Sequence, residues 1–316
     1  MAGYDLTFSP VKSVSALWAI APRETADEVV AAHDAAVADV FGWLEREAAY
    51  TRLGQGGLRQ VPVTGLVAAT FTHRDSRSGD PDLHTHVAVS NKVQTLPQDG
   101  SRWLALDGRV LYKAKVAASE RYNTRLEAQL VDRFGVRFVD HATEAGKRPV
   151  REVDGISPLL LGMWSKRRRQ ITRGTAALSV RFRAEHGRPP TTIEHAALAQ
   201  QANLETRDAK HEPRSETEQR ATWRGEATDL DPDAMVRAAI GKSPSAQIAP
   251  ARFRVAGQEI VAALEASRAT WQVWHVRAEA ERQARTLVVP LAQLDEVVEG
   301  LVDHVLTLGP PGSASS

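Results

Sequence analysis

The chain has 316 residues, 42% of them hydrophobic and 25% charged, which is ample for a sizeable core and leaves room for two domains. Cysteine is absent, so disulfides and thiolate metal sites are excluded, and any metal must be held by His, Asp or Glu. The 40 basic and 39 acidic residues leave a net charge of +1, so affinity for nucleic acid has to come from local clustering.

The N-terminus, MAGYDLTFSP, has no basic region followed by an apolar one, and no apolar run is long enough to span a bilayer. A cytoplasmic location without membrane insertion is the expectation. Tyr4 to Ser9 predicts a short strand ended by Pro10, and a short helix follows over 13–20. Thr25 with Glu28 has the form of a capping box opening a long helix, whose apolar stripe is Val29, Val30, Ala36, Val37, Val40 and Leu44. That helix is expected to stop before Gly54, with Tyr50 at its end. GLVAATFTH (65–73) and LHTHVAVSN (83–91) read as strands, and the turn-rich RDSRSGDPD between them predicts an antiparallel hairpin with a long loop.

Residues 109–133 have helical period, Gly135 ends that helix, and Val136 to Asp140 predicts a strand. Ser157-Pro158 suits the cap and first turn of a helix beginning LLLGMWSKRRRQI, and another helix starts after Thr192. Residues 209–233 are polar and mixed in charge, which suggests a linker or exposed loop. The remainder to about Leu306 is helical in pattern, and GPPGSASS is a flexible tail. The domain reading is 1–225, then a small helical region 226–308, then the tail 309–316.

On a strand, residues i and i+2 face the same side, so His84 and His86 project together. His73 ends the neighbouring strand, and the loop can bring it beside them. Three imidazoles on one sheet face can hold a divalent cation and leave positions open for substrate, which suits Lewis-acid chemistry at a phosphate oxygen. A lone His-x-His is common by chance, and the third histidine is what strengthens the pattern. Asp75, Asp80 and Asp82 in the same stretch are alternative ligands.

The run HRDSRSGDPDLHTH, residues 73–86, resembles the three-histidine motif of the TrwC/TraI (MobF) family of conjugative relaxases, down to the Asp80-Pro81 step and Leu83-His84-Thr85-His86. In the wider class of such endonucleases the residue between the two histidines is usually apolar, and Thr85 departs from that but fits this family. GYDLTFSPVKSVS (3–15) resembles the family's aspartate motif, VDGISPLLLGMWSKRRRQI (153–171) its downstream helix, LETRDAK (204–210) its Thr-Arg-x-x-Lys element, and LEASRATWQVWHVRAEAERQ (264–283) the approach to its helicase part.

The resemblance implies an α/β (α+β) fold with a mainly antiparallel central sheet flanked by helices. It implies that His73, His84 and His86 bind a divalent ion (Mg, Mn or Zn), that Asp5 is the catalytic carboxylate, and that the partner is single-stranded DNA at an origin of transfer, together with other conjugation proteins. In the family a tyrosine attacks the phosphodiester and stays joined to the 5′ phosphate, a nucleophilic transesterification. That tyrosine lies ahead of the aspartate motif, and this chain begins two residues before it. None of Tyr4, Tyr50, Tyr112 and Tyr122 matches the position, so the expectation is an N-terminally truncated domain that does not nick covalently. Tyr4 adjoins Asp5 on a strand and points to the opposite face. The alternatives are a non-enzymatic single-stranded DNA-binding remnant and a metal-dependent phosphodiesterase using water.

Trp164 to Arg188 carries the strongest charge imbalance, with Lys166, Arg167, Arg168 and Arg169 at its head and one acid, Glu185. Along a helix these side chains can neutralise phosphates, although a solvated face is the usual fate of a charge run. Lys12, Arg207 and Lys210 are further candidates through their places in the family-like motifs. No GxxxxGK[ST] is present, since the residue five before Gly241 is Val236, so an ATP-driven helicase is not encoded.

Overall fold

The computed structural model describes residues 2–141, 148–209, 212, 214–242 and 250–308. β1 (Gly3–Phe8) leads into α1 (Lys12–Ile20) and the long α2 (Arg23–Glu47). The latter starts two residues before the expected Thr25 box. Pro22 at its N-cap has φ near −54°, already helical, and its carbonyl accepts from Ala26 N, so no side-chain cap is needed. Two short strands follow, β2 (Tyr50–Leu53) and β3 (Arg59–Pro62), an antiparallel pair. Tyr50 therefore opens a strand and does not close the helix.

β4 (Ala68–Asp75) and β5 (Pro81–Ser90) form the predicted hairpin, but its loop is only residues 76–80, tightened by bonds from Ser76 N to Asp80 O and from Gly79 N to Ser76 O. Gly79 sits at φ +75°, a conformation that costs glycine nothing. The sheet order is β1-β5-β4, all antiparallel. In β5, Leu83, Thr85, Val87 and Val89 are buried, while the intervening residues point to the opposite face. The buried face packs on α1, whose residues from Ser13 to Ile20 are all buried. Its two serines bond outward: Ser13 Oγ accepts from Val153 N and Ser15 Oγ from Leu83 N.

β6 (Lys92–Gln94) and β7 (Trp103–Ala105) make another short pair before α3 (Gly108–Phe134), which ends at Gly135 as expected. β8 (Phe138–His141) pairs with β9 (Val150–Val153). α4 (Pro158–Met163) is capped by Ser157, and α5 (Lys166–His186) is separated from it at the buried Trp164. α6 (Thr192–Glu205) returns antiparallel to α5, with Thr191 and Glu194 forming a reciprocal capping box.

The stretch read as a linker is instead α7 (Glu216–Glu226) and α8 (Pro232–Ala239). Charge dominates their composition, yet Trp223, Met235, Val236 and Ala239 are buried at helical spacing in the first core. Trp223 is fully buried against Trp18, with ring centroids 5.5 Å apart, and its indole N–H donates to Gly79 O. α9 (Pro250–Ser267), α10 (Val273–Leu287) and α11 (Leu294–Leu308) build a second core around Ile260, Val276, Ala280, Leu294 and Leu301.

Buried charges on α3 join the two cores. Arg121 reaches Asp39 on α2 at 2.6 Å and Asp295 on α11 at 2.9 Å, and Arg125 shares both carboxylates. No helix among the described residues is long and apolar enough to cross a membrane.

If α7 belongs to the core, Trp223→Ala removes a large buried side chain and the tie to Gly79. Urea unfolding should then show a loss of about 3–5 kcal/mol, the usual cost of such a truncation.

Candidate metal centre and nucleic-acid groove

The β4–β5 register sets His73 directly opposite His84, with His86 opposite Phe71. On the other side of β5, Thr7 of β1 lies opposite His86, and Asp5 is two residues along on the same face. The three imidazoles form a near-equilateral triangle, with ring centroids 5.1, 5.2 and 5.3 Å apart. One ligand nitrogen from each lies within 4.8 Å of the others, and among the described residues this is the group of His and carboxylate side chains able to hold a metal ion.

Chemistry fixes two of the tautomers. Both Asp5 carboxylate oxygens lie at 2.9–3.0 Å from His86 Nδ1. A carboxylate only accepts, so Nδ1 carries the proton and Nε2 keeps its lone pair for the triangle. His84 Nδ1 likewise donates to Asp82 O at 2.7 Å, freeing Nε2. Partners of this kind orient metal-binding imidazoles and raise their basicity. The donor set therefore fits a divalent ion.

The other carboxylates have separate tasks. Asp75 accepts from Gln219 at 3.0 Å. Asp80 is buried, and its Oδ2 accepts from the backbone N–H of Lys166 at 2.7 Å while Oδ1 sits 3.3 Å from Lys166 Nζ. It thus caps the N-terminus of α5, whose own Ser165 makes no side-chain cap. The Arg-rich helix is in this way tied to the tip of the histidine hairpin.

A groove of about 710 Å³ opens beside the triangle. Arg74, Arg77, Arg167, Arg207 and Arg214 line it with Thr72, the three histidines, Asp75, Ser76, Asp82, Gln200, Asn203, Leu204 and Gln219. Five guanidinium groups against two carboxylates make it locally cationic although the chain is near neutral. Arg74, Arg77 and Arg214 escaped sequence reasoning. The first two lie inside the histidine motif itself, and a turn-side arginine next to a metal strand was the available signal.

The candidate basic residues divide. Arg207 is exposed in the groove, and Arg168 is exposed on α5. Arg167 lines the groove but spends its guanidinium on the end of α6, donating to the carbonyls of Asn203 and Thr206. Arg169 donates to the last carbonyls of α4, Gly162 and Met163. Lys166 is held by Asp80 and Glu226. Lys12 is half-buried and donates to Pro81 O, and burial, against the pull of Asp82 and Asp80, lowers its pKa. Lys210 lies outside the described residues.

The four tyrosines stand apart. Tyr4 packs on the core side of β1, Tyr50 is in β2, and Tyr112 is exposed on α3. Tyr122 is buried and hydrogen-bonded to His33 Nδ1 at 2.8 Å. Among the described residues, no tyrosine lines the groove. His33, under the sheet, is fully buried, and burial together with the nearby His84 brings its pKa down to about 4.

The fold is that of the relaxase class of proteins. The TrwC relaxase family profile matches residues 1–230, and the chain belongs to that family. It is 35% identical over 162 residues to the multifunctional conjugation protein TraI of Escherichia coli, and 32% identical over 165 residues to TraI of Escherichia coli strain K12. Each match covers 49% of this chain, and the chain spans 9% of the length of those relatives.

Solved structures of the conjugative relaxase TrwC in complex with OriT DNA superpose with a TM-score of 0.57. A metal-bound form is 28% identical, covering 72% of each chain. A metal-free form is 29% identical, covering 72% of this chain and 73% of that one. TrwC complexed with a 27-mer DNA comprising the recognition hairpin and the cleavage site gives 0.56 at 28% identity, covering 72% of this chain and 74% of that one.

Two measurements check the site. Asp5→Asn removes the charge behind His86 and should weaken Mn²⁺ affinity about tenfold by calorimetry, the scale found for such outer partners. His33 takes up a proton on unfolding between its ordinary pKa of 6.5 and about 4, so its share of stability is present above 6.5 and lost as pH falls through that window. Urea unfolding across it should show the loss, and His33→Gln should flatten the slope.

Proposed function

We propose that this chain binds single-stranded DNA in the arginine-lined groove and, with a divalent ion on His73, His84 and His86, acts on a phosphodiester as the metal half of a relaxase centre. The carrying observation is the clustering of three imidazoles on one sheet face, two of them oriented by Asp5 and the Asp82 carbonyl, beside a groove lined by five arginines. When bound, the ion supplies Lewis-acid polarisation of the phosphate. Arg77, Arg207 and Arg214 hold phosphate oxygens, and Leu204 with Phe71, both more than half exposed, offers apolar surface to bases. Asp5 orients His86 and, being exposed, is open to take a proton from an attacking hydroxyl.

Three imidazole nitrogens favour a first-row transition ion such as Mn²⁺ or Zn²⁺ over Mg²⁺, which prefers oxygen. Binding to an origin-of-transfer strand, as the TrwC complexes do, is the substrate reading that family membership supports. We place the boundary between the relaxase-like and helical regions after Lys242, because Trp223, Met235 and Val236 pack in the first core, whereas most buried apolar residues of α9, α10 and α11 form the second.

The absence of a tyrosine from the groove among the described residues favours a second reading for this chain taken alone, which is binding with hydrolysis by water. The chain, Mn²⁺ and a labelled origin oligonucleotide, resolved on a denaturing gel, should give no covalent band. An adduct abolished by Tyr50→Phe would make Tyr50 the nucleophile and refute this second reading, and multiple-turnover release of a 5′ phosphate would establish the hydrolase.

DNA binding is tested by Arg77→Glu with Arg207→Glu. Anisotropy should show weaker binding, and the salt slope should fall by about 0.7 for each phosphate that is no longer neutralised. An unchanged slope would remove the groove from the DNA path.

A further inference from the structure

We infer that His33, on α2 and on the far side of the sheet from the triangle, is a positioning residue for the metal centre. It acts by locking Thr85 between His84 and His86. The inference rests on the metal centre proposed above.

Thr85 is a polar side chain at a fully buried position of β5, flanked by Leu83 and Val87. A hydroxyl there needs a partner, since leaving it unmet costs about 1–3 kcal/mol. It has two. His33 Nε2 lies 2.8 Å from Thr85 Oγ1, and Thr72 Oγ1 of β4 lies 3.0 Å from it. Behind His33, Tyr122 of α3 places its hydroxyl 2.8 Å from Nδ1.

The direction of these bonds follows from valence. His33 is neutral, so it has one donor and one acceptor nitrogen. The Tyr122 phenol stays protonated, because burial raises its pKa well above the ordinary value. Among the described residues its hydroxyl has no acceptor other than His33 Nδ1, so it donates there, which puts the His33 proton on Nε2. Nε2–H then donates to Thr85, and the Thr85 hydroxyl passes its own proton on to Thr72. This arrangement satisfies every polar atom in the row from α3 through α2 to β5 and β4.

The geometry needs that row. Thr72 is opposite Thr85, one pair from His73 opposite His84, and the ladder shifts register immediately beyond, between His73 and Asp75. β4 is an edge strand, and Ala68 through His73 are exposed on both faces, so side-chain packing alone holds it weakly. The Thr72–Thr85 bond ties this edge to the buried interior beside the one ligand, His73, that β4 supplies. With Thr85 fixed, the alternation of β5 fixes the directions of His84 and His86 on the other face.

Titration of the full chain with Co²⁺, followed by visible absorption and calorimetry, tests this. Thr85→Val and the exposed Thr72→Val each delete one hydroxyl with little change of shape, and each should weaken Co²⁺ binding about tenfold. His33→Gln, whose Nε2 can stand for the imidazole Nε2–H, should stay within about threefold, whereas the shorter His33→Asn should lose about tenfold. A purely structural His33 would lower melting temperature in both amides and leave Co²⁺ affinity untouched in Thr72→Val. Unchanged affinity in Thr72→Val, which remains measurable even where a core variant fails to fold, would overturn the inference alone. No Co²⁺ binding by the unaltered chain would overturn the metal centre and the inference together.

Discussion

The site depends on the register of β4 against β5. Because the side-chain period of a strand is two, a slip of one residue would turn His84 and His86 into the core and expose Leu83 and Val87. The hairpin alone does not prevent this, since β4 is an exposed edge. The register is held from distant parts of the chain. Ser15 of α1 accepts from Leu83 N, Lys12 donates to Pro81 O, Trp223 of α7 donates to Gly79 O, and Asp80 caps α5. Each fastens the tip or the central strand to a different part of the helical layer, and together they leave the hairpin one position to occupy.

Electrostatics works locally in the same way. A chain of net charge +1 still presents five arginines around one groove, because its acids are used elsewhere. Asp39, Glu281 and Asp295 answer the buried Arg121 and Arg125, and Glu120 and Glu127 answer Arg285 and Arg151. Breaking such a buried pair is costly, while the pair itself adds little beyond its hydrophobic equivalent. Its effect here is to orient the C-terminal helices on α3 and to leave the groove cationic. Within the basic run, Arg167 and Arg169 close the ends of α6 and α4 and so tie α4, α5 and α6 together, and α5 with α6 forms one wall of the groove.

The centre itself is three imidazoles with a single carboxylate behind one of them. Such a set holds a cation without cancelling its charge, which is what polarising a phosphate requires. Asp5 and the Asp82 carbonyl orient two of the rings from the open face, and His33 through Thr85 steadies the strand from beneath. The departure of Thr85 from an apolar residue thereby acquires a reason, because a hydroxyl reaches both His33 and Thr72.

Local pattern was enough for much of this. The period of two in 83–91, the helical stripe of 29–44, the Ser157-Pro158 start and the spacing of His73, His84 and His86 each state a preference that neighbouring residues alone satisfy. The three histidines were legible for that reason, whereas Asp5 came only from the resemblance and its place beside His86 needed the pairing of β1 with β5. The short pairs β2–β3 and β6–β7 were not, since three or four residues carry too little periodicity, and α7–α8 was hidden because its buried residues are few among many charges. Only the tertiary structure decided that Asp80 would cap a helix and not bind metal, that Arg167 would close α6, and that Arg74, Arg77 and Arg214 would meet in one groove. Those outcomes depend on which chain ends and carbonyls come to lie nearby, and partners more than eighty residues apart in sequence, such as Asp80 and Lys166, leave no local trace.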